Sequence, residues 1–84
     1  MPYPSKIIPL SELPLGSFCR IASINTEGLL RRRMLDLGLI PGTIIESVRK
    51  SPSGDPTAYR VRGSLIALRS ENADQITVYY PALS

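Results

Sequence analysis

Histidine and tryptophan are absent from the 84 residues, and cysteine occurs once, at Cys19. Without histidine, neither an imidazole acid/base pair nor a Ser-His-Asp or Cys-His constellation can be built within the chain. A lone cysteine excludes an intramolecular disulfide framework. It also leaves a four-ligand structural zinc site without its ligands. Long apolar runs are missing as well: the longest aliphatic stretch is Leu65-Ile66-Ala67-Leu68, far short of the roughly 20 residues of a membrane span. The segment Met1-Pro2-Tyr3-Pro4-Ser5-Lys6 has no hydrophobic run behind it and carries neither a signal-peptide nor a myristoylation pattern.

What is present points to one small β-rich domain. Hydrophobic residues make up 43% and charged residues 20%, which is ordinary for a globular chain. A chain of this size buries only about 60–65% of its unfolded surface, so a deep enclosed catalytic cleft is not expected. Eight prolines and six glycines punctuate the sequence and favour short strands joined by turns over long helices. The net charge of +3 is compatible with an acidic partner or nucleic acid but selects neither.

Residues 1–9 hold three prolines and read as an extended N-terminal arm. Leu10-Ser11-Glu12-Leu13 fits one helical turn closed by Pro14. A first strand is expected from Ser17 to Ile24, with Phe18, Ala22 and Ile24 on one face and Cys19 and Ile21 on the other. A helix follows from an N-cap at Asn25 or Thr26 to about Leu37. Gly38 is its left-handed C-terminal cap, and Pro41-Gly42 makes a turn beyond it. Leu29, Leu30, Met34 and Leu37 are assigned to the apolar face of this helix. Arg33 falls among them, and Leu35 points the other way. Further strands are expected at Thr43–Lys50, with Ile44 and Val48 on one face, and at Thr57–Arg62, with Tyr59 and Val61 inward. Two more follow at Leu65–Arg69 and Gln75–Tyr80. Gly63-Ser64 reads as a tight turn, and Ser70 as the cap of a single helical turn through Ala73. Five short strands and one ten-residue helix favour antiparallel pairing, with the strands curled to remove open edges.

Three segments, in order and at matching spacings, resemble the FeoA family. They are Leu13-Pro14-Leu15-Gly16; Leu30-Arg31-Arg32-Arg33-Met34-Leu35-Asp36-Leu37-Gly38-Leu39-Ile40-Pro41-Gly42; and Pro52-Ser53-Gly54-Asp55-Pro56 followed by Val61-Arg62-Gly63 and Ala67-Leu68-Arg69. The resemblance runs over roughly residues 10–79. It implies a mainly all-β, five- to six-stranded SH3-like barrel over residues 10–80, with one helix between the first two strands and a tail at 81–84. It also implies a non-enzymatic cytoplasmic accessory protein of bacterial ferrous iron uptake. Its expected partner is a FeoB-type transporter with a GTP-hydrolysing cytosolic domain. The same domain type occurs at the C-terminus of iron- and manganese-dependent repressors.

On this reading Arg31 and Arg32 are solvated or partner-facing, with Arg32 able to pair with Asp36. Leu35 is offered outward with Leu39 and Ile40 as a docking patch, and Ser53-Gly54-Asp55 form a recognition loop. Arg33, Gly38, Pro41 and Gly42 are assigned structural roles, Arg33 as an anchor on the buried side. No metal ligand set, cofactor or catalytic residue is assigned: Glu71 and Asp74 are three apart, but on a short turn. A small-barrel binder of nucleic acid, peptide or metabolite remains the alternative. Tyr59 points inward, however, so the aromatic platform of a single-strand binder is not evident. Weak self-association is left open.

Overall fold

The computed structural model describes residues 6–82. Six strands form one antiparallel sheet in the order β1-β6-β2-β3-β4-β5. They are β1 Lys6–Pro9, β2 Phe18–Ile24, β3 Ile44–Lys50, β4 Thr57–Val61, β5 Ser64–Leu68 and β6 Ile76–Tyr80. Helix α1 (Gly28–Asp36) lies between β2 and β3, and a four-residue helix α2 (Ser70–Ala73) lies between β5 and β6. One core cluster draws Cys19, Ile21, Ile24, Ile45, Tyr59, Val61, Leu68, Ile76 and Val78 from five strands. Leu10, Leu13, Met34, Leu39 and Ala73 complete it from the connections. Each fully buried aliphatic side chain of this kind contributes roughly 1.5–3 kcal/mol.

The expected arm is corrected where it is described: residues 6–9 pair with β6, Ile8 opposite Val78, while residues 1–5 lie outside the described residues. The strand faces are corrected by two register shifts. Between Ile21 and Ser23 the pairing of β2 with β6 slips by one residue. Cys19 and Ile21 therefore face the core before the slip and Ile24 faces it after, while Phe18 is exposed. A regular period of two cannot show this, because a bulge moves every later side chain to the other face. In β3 the shift falls between Ser47 and Arg49. Ahead of it Ile45 and Ser47 are buried, and of Ile44 and Val48, expected to share one face, Ile44 is exposed and Val48 half-buried.

The turns follow their chemistry. The Thr43 N–H donates to the Ile40 carbonyl at 2.9 Å, closing a turn with Pro41 at its second position and Gly42, at φ +96, at its third, as a type II turn requires. The hairpin between β4 and β5 turns on Arg62-Gly63 rather than Gly63-Ser64, since Val61 pairs with Ser64. Both turn residues have positive φ, +51 and +84, matching the right-handed twist of a two-residue hairpin. Among the described residues no helix is long and apolar enough to cross a membrane.

Candidate functional site around helix α1

Helix α1 is fastened at both ends. At its start Glu27 occupies the cap position with no side-chain capping bond, so the expected Asn25 or Thr26 cap is not formed. The nearby tie is Arg31, whose Nη1 donates to the Ile24 carbonyl at 2.8 Å and binds the helix to the end of β2. At its end the Gly38 N–H donates to the Leu35 carbonyl and the Leu39 N–H to the Met34 carbonyl, each at 3.0 Å. These two bonds with Gly38 at φ +97 form a Schellman cap. Its apolar lock is Leu39 against Met34, both in the buried cluster.

This arrangement exchanges the expected roles of two arginines. Arg33 is exposed, and no hydrogen bond or ion pair of its side chain occurs among the described residues; Arg31 is the anchor. The helix is rotated relative to the face read from sequence. Met34 is buried and Leu30 and Leu35 pack against the core from its margin, whereas Leu37 is exposed and Leu29 is 84% exposed. Leu35 is therefore half-buried rather than outward, and Leu39, expected in a docking patch, is fully buried. Ile40 remains exposed on the turn. The expected Arg32–Asp36 pair does not form; the ion pair among the described residues is Arg60–Glu46, at 3.3 Å across β4 and β3.

Three of the sequence-derived candidates do come together. Arg31, Arg32 and Leu35 line a groove of about 640 Å³ with Gly28, Leu29 and Asp36. Leu29 is the contributor that sequence reasoning placed inside, because helical spacing alone cannot distinguish two adjacent stripes of leucines. The groove is mostly apolar, and its charged lining residues are Arg31, Arg32 and Asp36. Its chemistry suits a partner's apolar side chain flanked by carboxylates.

The 51–56 loop spends its polar groups on itself. Ser51 Oγ and Ser53 Oγ donate to the Asp55 carbonyl at 2.6 and 3.0 Å, and the Gly54 N–H to the Ser51 carbonyl at 2.8 Å. The Asp55 carboxylate accepts from the Ser70 N–H at 2.8 Å. It thus caps α2 from fifteen residues away, a role expected of Ser70. Ser11 Oγ donates to Asp74 Oδ1 and ties the turn before β2 to the end of α2. Asp55 is therefore a clasp within the domain, while Ser53 and Gly54 are exposed.

Among the described residues no three His, Cys, Asp or Glu side chains are grouped to hold a metal ion. Cys19 is buried, and burial pushes its thiol up from the ordinary 9.0 to about 12. At neutral pH it is a protonated core side chain and not the thiolate that binds metal or attacks.

The comparisons with known proteins agree with this architecture. Over 69 residues the chain is 36% identical to the Fe(2+) transport protein A/Fe(2+) transporter FeoB fusion protein of Porphyromonas gingivalis, a match covering 82% of this chain and 8% of that protein. The chain thus spans only a small part of that relative. The solution structure of FeoA from Chlorobium tepidum superposes with a TM-score of 0.81 at 38% identity, over 86% of this chain and 69% of that one. The FeoA of Stenotrophomonas maltophilia, solved with zinc and described as a prokaryotic SH3 domain protein, gives a TM-score of 0.74 at 32% identity, over 82% and 86%. A family model described as the FeoA domain matches residues 8–80, from the third residue of β1 to the last residue of β6. With that match running from within β1 through β6 and including both helices, the chain belongs to the FeoA domain family.

Proposed function

We propose that this protein is a non-enzymatic accessory factor of bacterial ferrous iron uptake. It docks on the cytosolic side of a FeoB-type transporter through the α1 groove and modulates the partner's GTPase or transport activity. The observation that carries this reading is the relative in which a FeoA portion and a FeoB portion share one polypeptide. Fusion makes association intramolecular, so a separate chain of the same family has to supply the same contact by affinity. The groove supports the location, offering a protruding Leu29 beside a half-buried Leu35 between Arg31 and Arg32.

The mechanism is selection between states of the partner. A docked protein shifts a two-state equilibrium only by the difference in its affinity for the two states. The test is Leu29→Asp, at an exposed position whose replacement leaves the core intact. Binding to the transporter's cytosolic domain, followed by calorimetry, is expected to weaken at least tenfold, and any effect on GTP hydrolysis to disappear with it. Full affinity in Leu29→Asp would remove α1 from the reading. No binding of the unaltered chain to either the cytosolic domain or the membrane-embedded transporter would remove the partner.

A further inference from the structure

A second surface lies on the adjacent stripe of α1. The sheet ends at β5, and no strand lies beyond it among the described residues. The two sheet edges are unlike. β1 carries Lys6 and Pro9, a charge and a missing N–H of the kind that protects an edge from pairing. β5 reads Ser-Leu-Ile-Ala-Leu over residues 64–68, with neither a charge nor a proline. Beside it runs a groove of about 300 Å³, bounded by Ala67, Leu68, Arg69 and Asn72 on one side and by Leu30, Arg33, Met34 and Leu37 on the other. Its walls are thus an unpaired strand edge and a helix, with apolar side chains between them. Arg33 and Arg69 are both exposed, and neither side chain has a hydrogen bond or ion pair among the described residues.

We propose that this groove takes an extended segment of a partner protein that adds to the sheet beside β5. Its alternating apolar side chains lie against Leu30, Leu37 and Leu68, and its carboxylates meet Arg33 and Arg69. Main-chain hydrogen bonds to the open edge supply affinity, and the pocket beside it supplies selection. Charge complementarity names the occupant. Two guanidinium groups flanking one apolar groove favour carboxylates, which they bind in bidentate fashion. They also disfavour a second copy of this chain. Antiparallel pairing of two β5 edges would bring Arg62 at one end of the strand toward Arg69 of the other copy, and like charges facing each other across strands destabilise. The inference does not depend on the transporter, since the sites use different stripes of α1: Leu29, Arg32 and Asp36 in one, Leu30, Arg33 and Leu37 in the other.

The experiment uses the full chain, labelled with nitrogen-15, and an acetylated hexapeptide of alternating valine and glutamate. Peptides in which lysine or serine replaces the glutamate serve as comparisons. Amide shifts are expected at residues 64–69 and along 30–37, with the glutamate peptide bound at least tenfold more tightly than the lysine peptide. The double exchange Arg33→Glu with Arg69→Glu, at exposed positions, is expected to invert that preference while the remaining spectrum stays folded. Failure of all three peptides to shift these amides at millimolar concentration overturns the proposal. So do shifts confined to Leu29, Arg32 and Leu35, equal binding of the glutamate and lysine peptides, or concentration-dependent shifts at β5 in the peptide-free chain.

Discussion

Gly38 offers the sharpest quantitative test of how α1 is held. At φ +97 the backbone is in a region that side-chain-bearing residues rarely adopt, and a Cβ there would sit 3.3 Å from Val61 Cγ1 and 3.6 Å from Arg62 Cδ. Gly38→Ala therefore carries two penalties. The left-handed backbone costs an L-residue about 1–2 kcal/mol. The close contact adds about 1 kcal/mol or more, because Val61 is buried at the core end of β4 and cannot swing away. The sum is roughly 2–4 kcal/mol, a large share of the ~4–12 kcal/mol that stabilises a domain of this size. Gly42 is the internal control: its φ is +96, but a Cβ there meets nothing within 4 Å. Gly42→Ala should cost only the backbone share. Urea unfolding gives both numbers, and thermal melting should show Gly38→Ala lower by roughly 10–25 °C. Val61→Ala removes the opposing methyl, so in a double-mutant cycle the cost of Gly38→Ala should shrink toward that of Gly42→Ala. Equal losses for the two single glycine variants would refute the claim that the hairpin packs directly on the helix cap.

Two further predictions follow from the same architecture. Arg31→Ala should lower stability by about 0.5–1.5 kcal/mol through loss of its bond to the Ile24 carbonyl. Arg33→Ala should change it by less than about 0.5 kcal/mol, and the reverse order in urea melts would contradict the exchange of roles. Cys19 gives a pH dependence. With its folded pKa raised to about 12 from 9.0, the unfolded chain binds fewer protons than the folded chain between those values. Stability therefore holds below pH 9 and falls as the pH rises above it. Tyr59, raised from 10.0 chiefly by burial, acts in the same direction. Melting between pH 8 and pH 11 should show the decline. Cys19→Val should lessen it, and the native thiol should resist a disulfide reagent at pH 8 until urea exposes it.

The parts of this fold that were legible in the sequence are those written in single residues with one physical use. Pro41-Gly42 specifies a type II turn because proline fixes one φ and glycine permits the next. Gly38 marks the helix end for the same reason. Tyr59 and Val61 alternate cleanly because β4 is regular along that stretch. What could not be read is what depends on a pairing partner. The slips in β2 and β3 are set against β6 and β4, and the one in β2 brings Ile24 to the core side already taken by Cys19 and Ile21. The rotation of α1 has the same origin. Leu29 and Leu30 fit the helical period equally well, and the packing of the helix on the core places Leu30 against it and leaves Leu29 exposed. Asp55 capping α2 is a contact between two connections fifteen residues apart, with no local spacing to reveal it.

The same fastenings bear on how so small a domain could act on a larger partner. A helix tied at one end by Arg31 and at the other by the Gly38 cap is presented at a fixed angle to the sheet. It loses little conformational entropy on binding, since its side chains of contact sit on backbone that is already ordered. On the proposed reading the change of state occurs in the partner, and the domain contributes its unequal affinity for the partner's conformations. For a tenfold bias that difference is about 1.4 kcal/mol, within the reach of one apolar side chain at Leu29 and one charge-assisted hydrogen bond at Arg32. On that reading, a single groove of this size is therefore sufficient for such a bias.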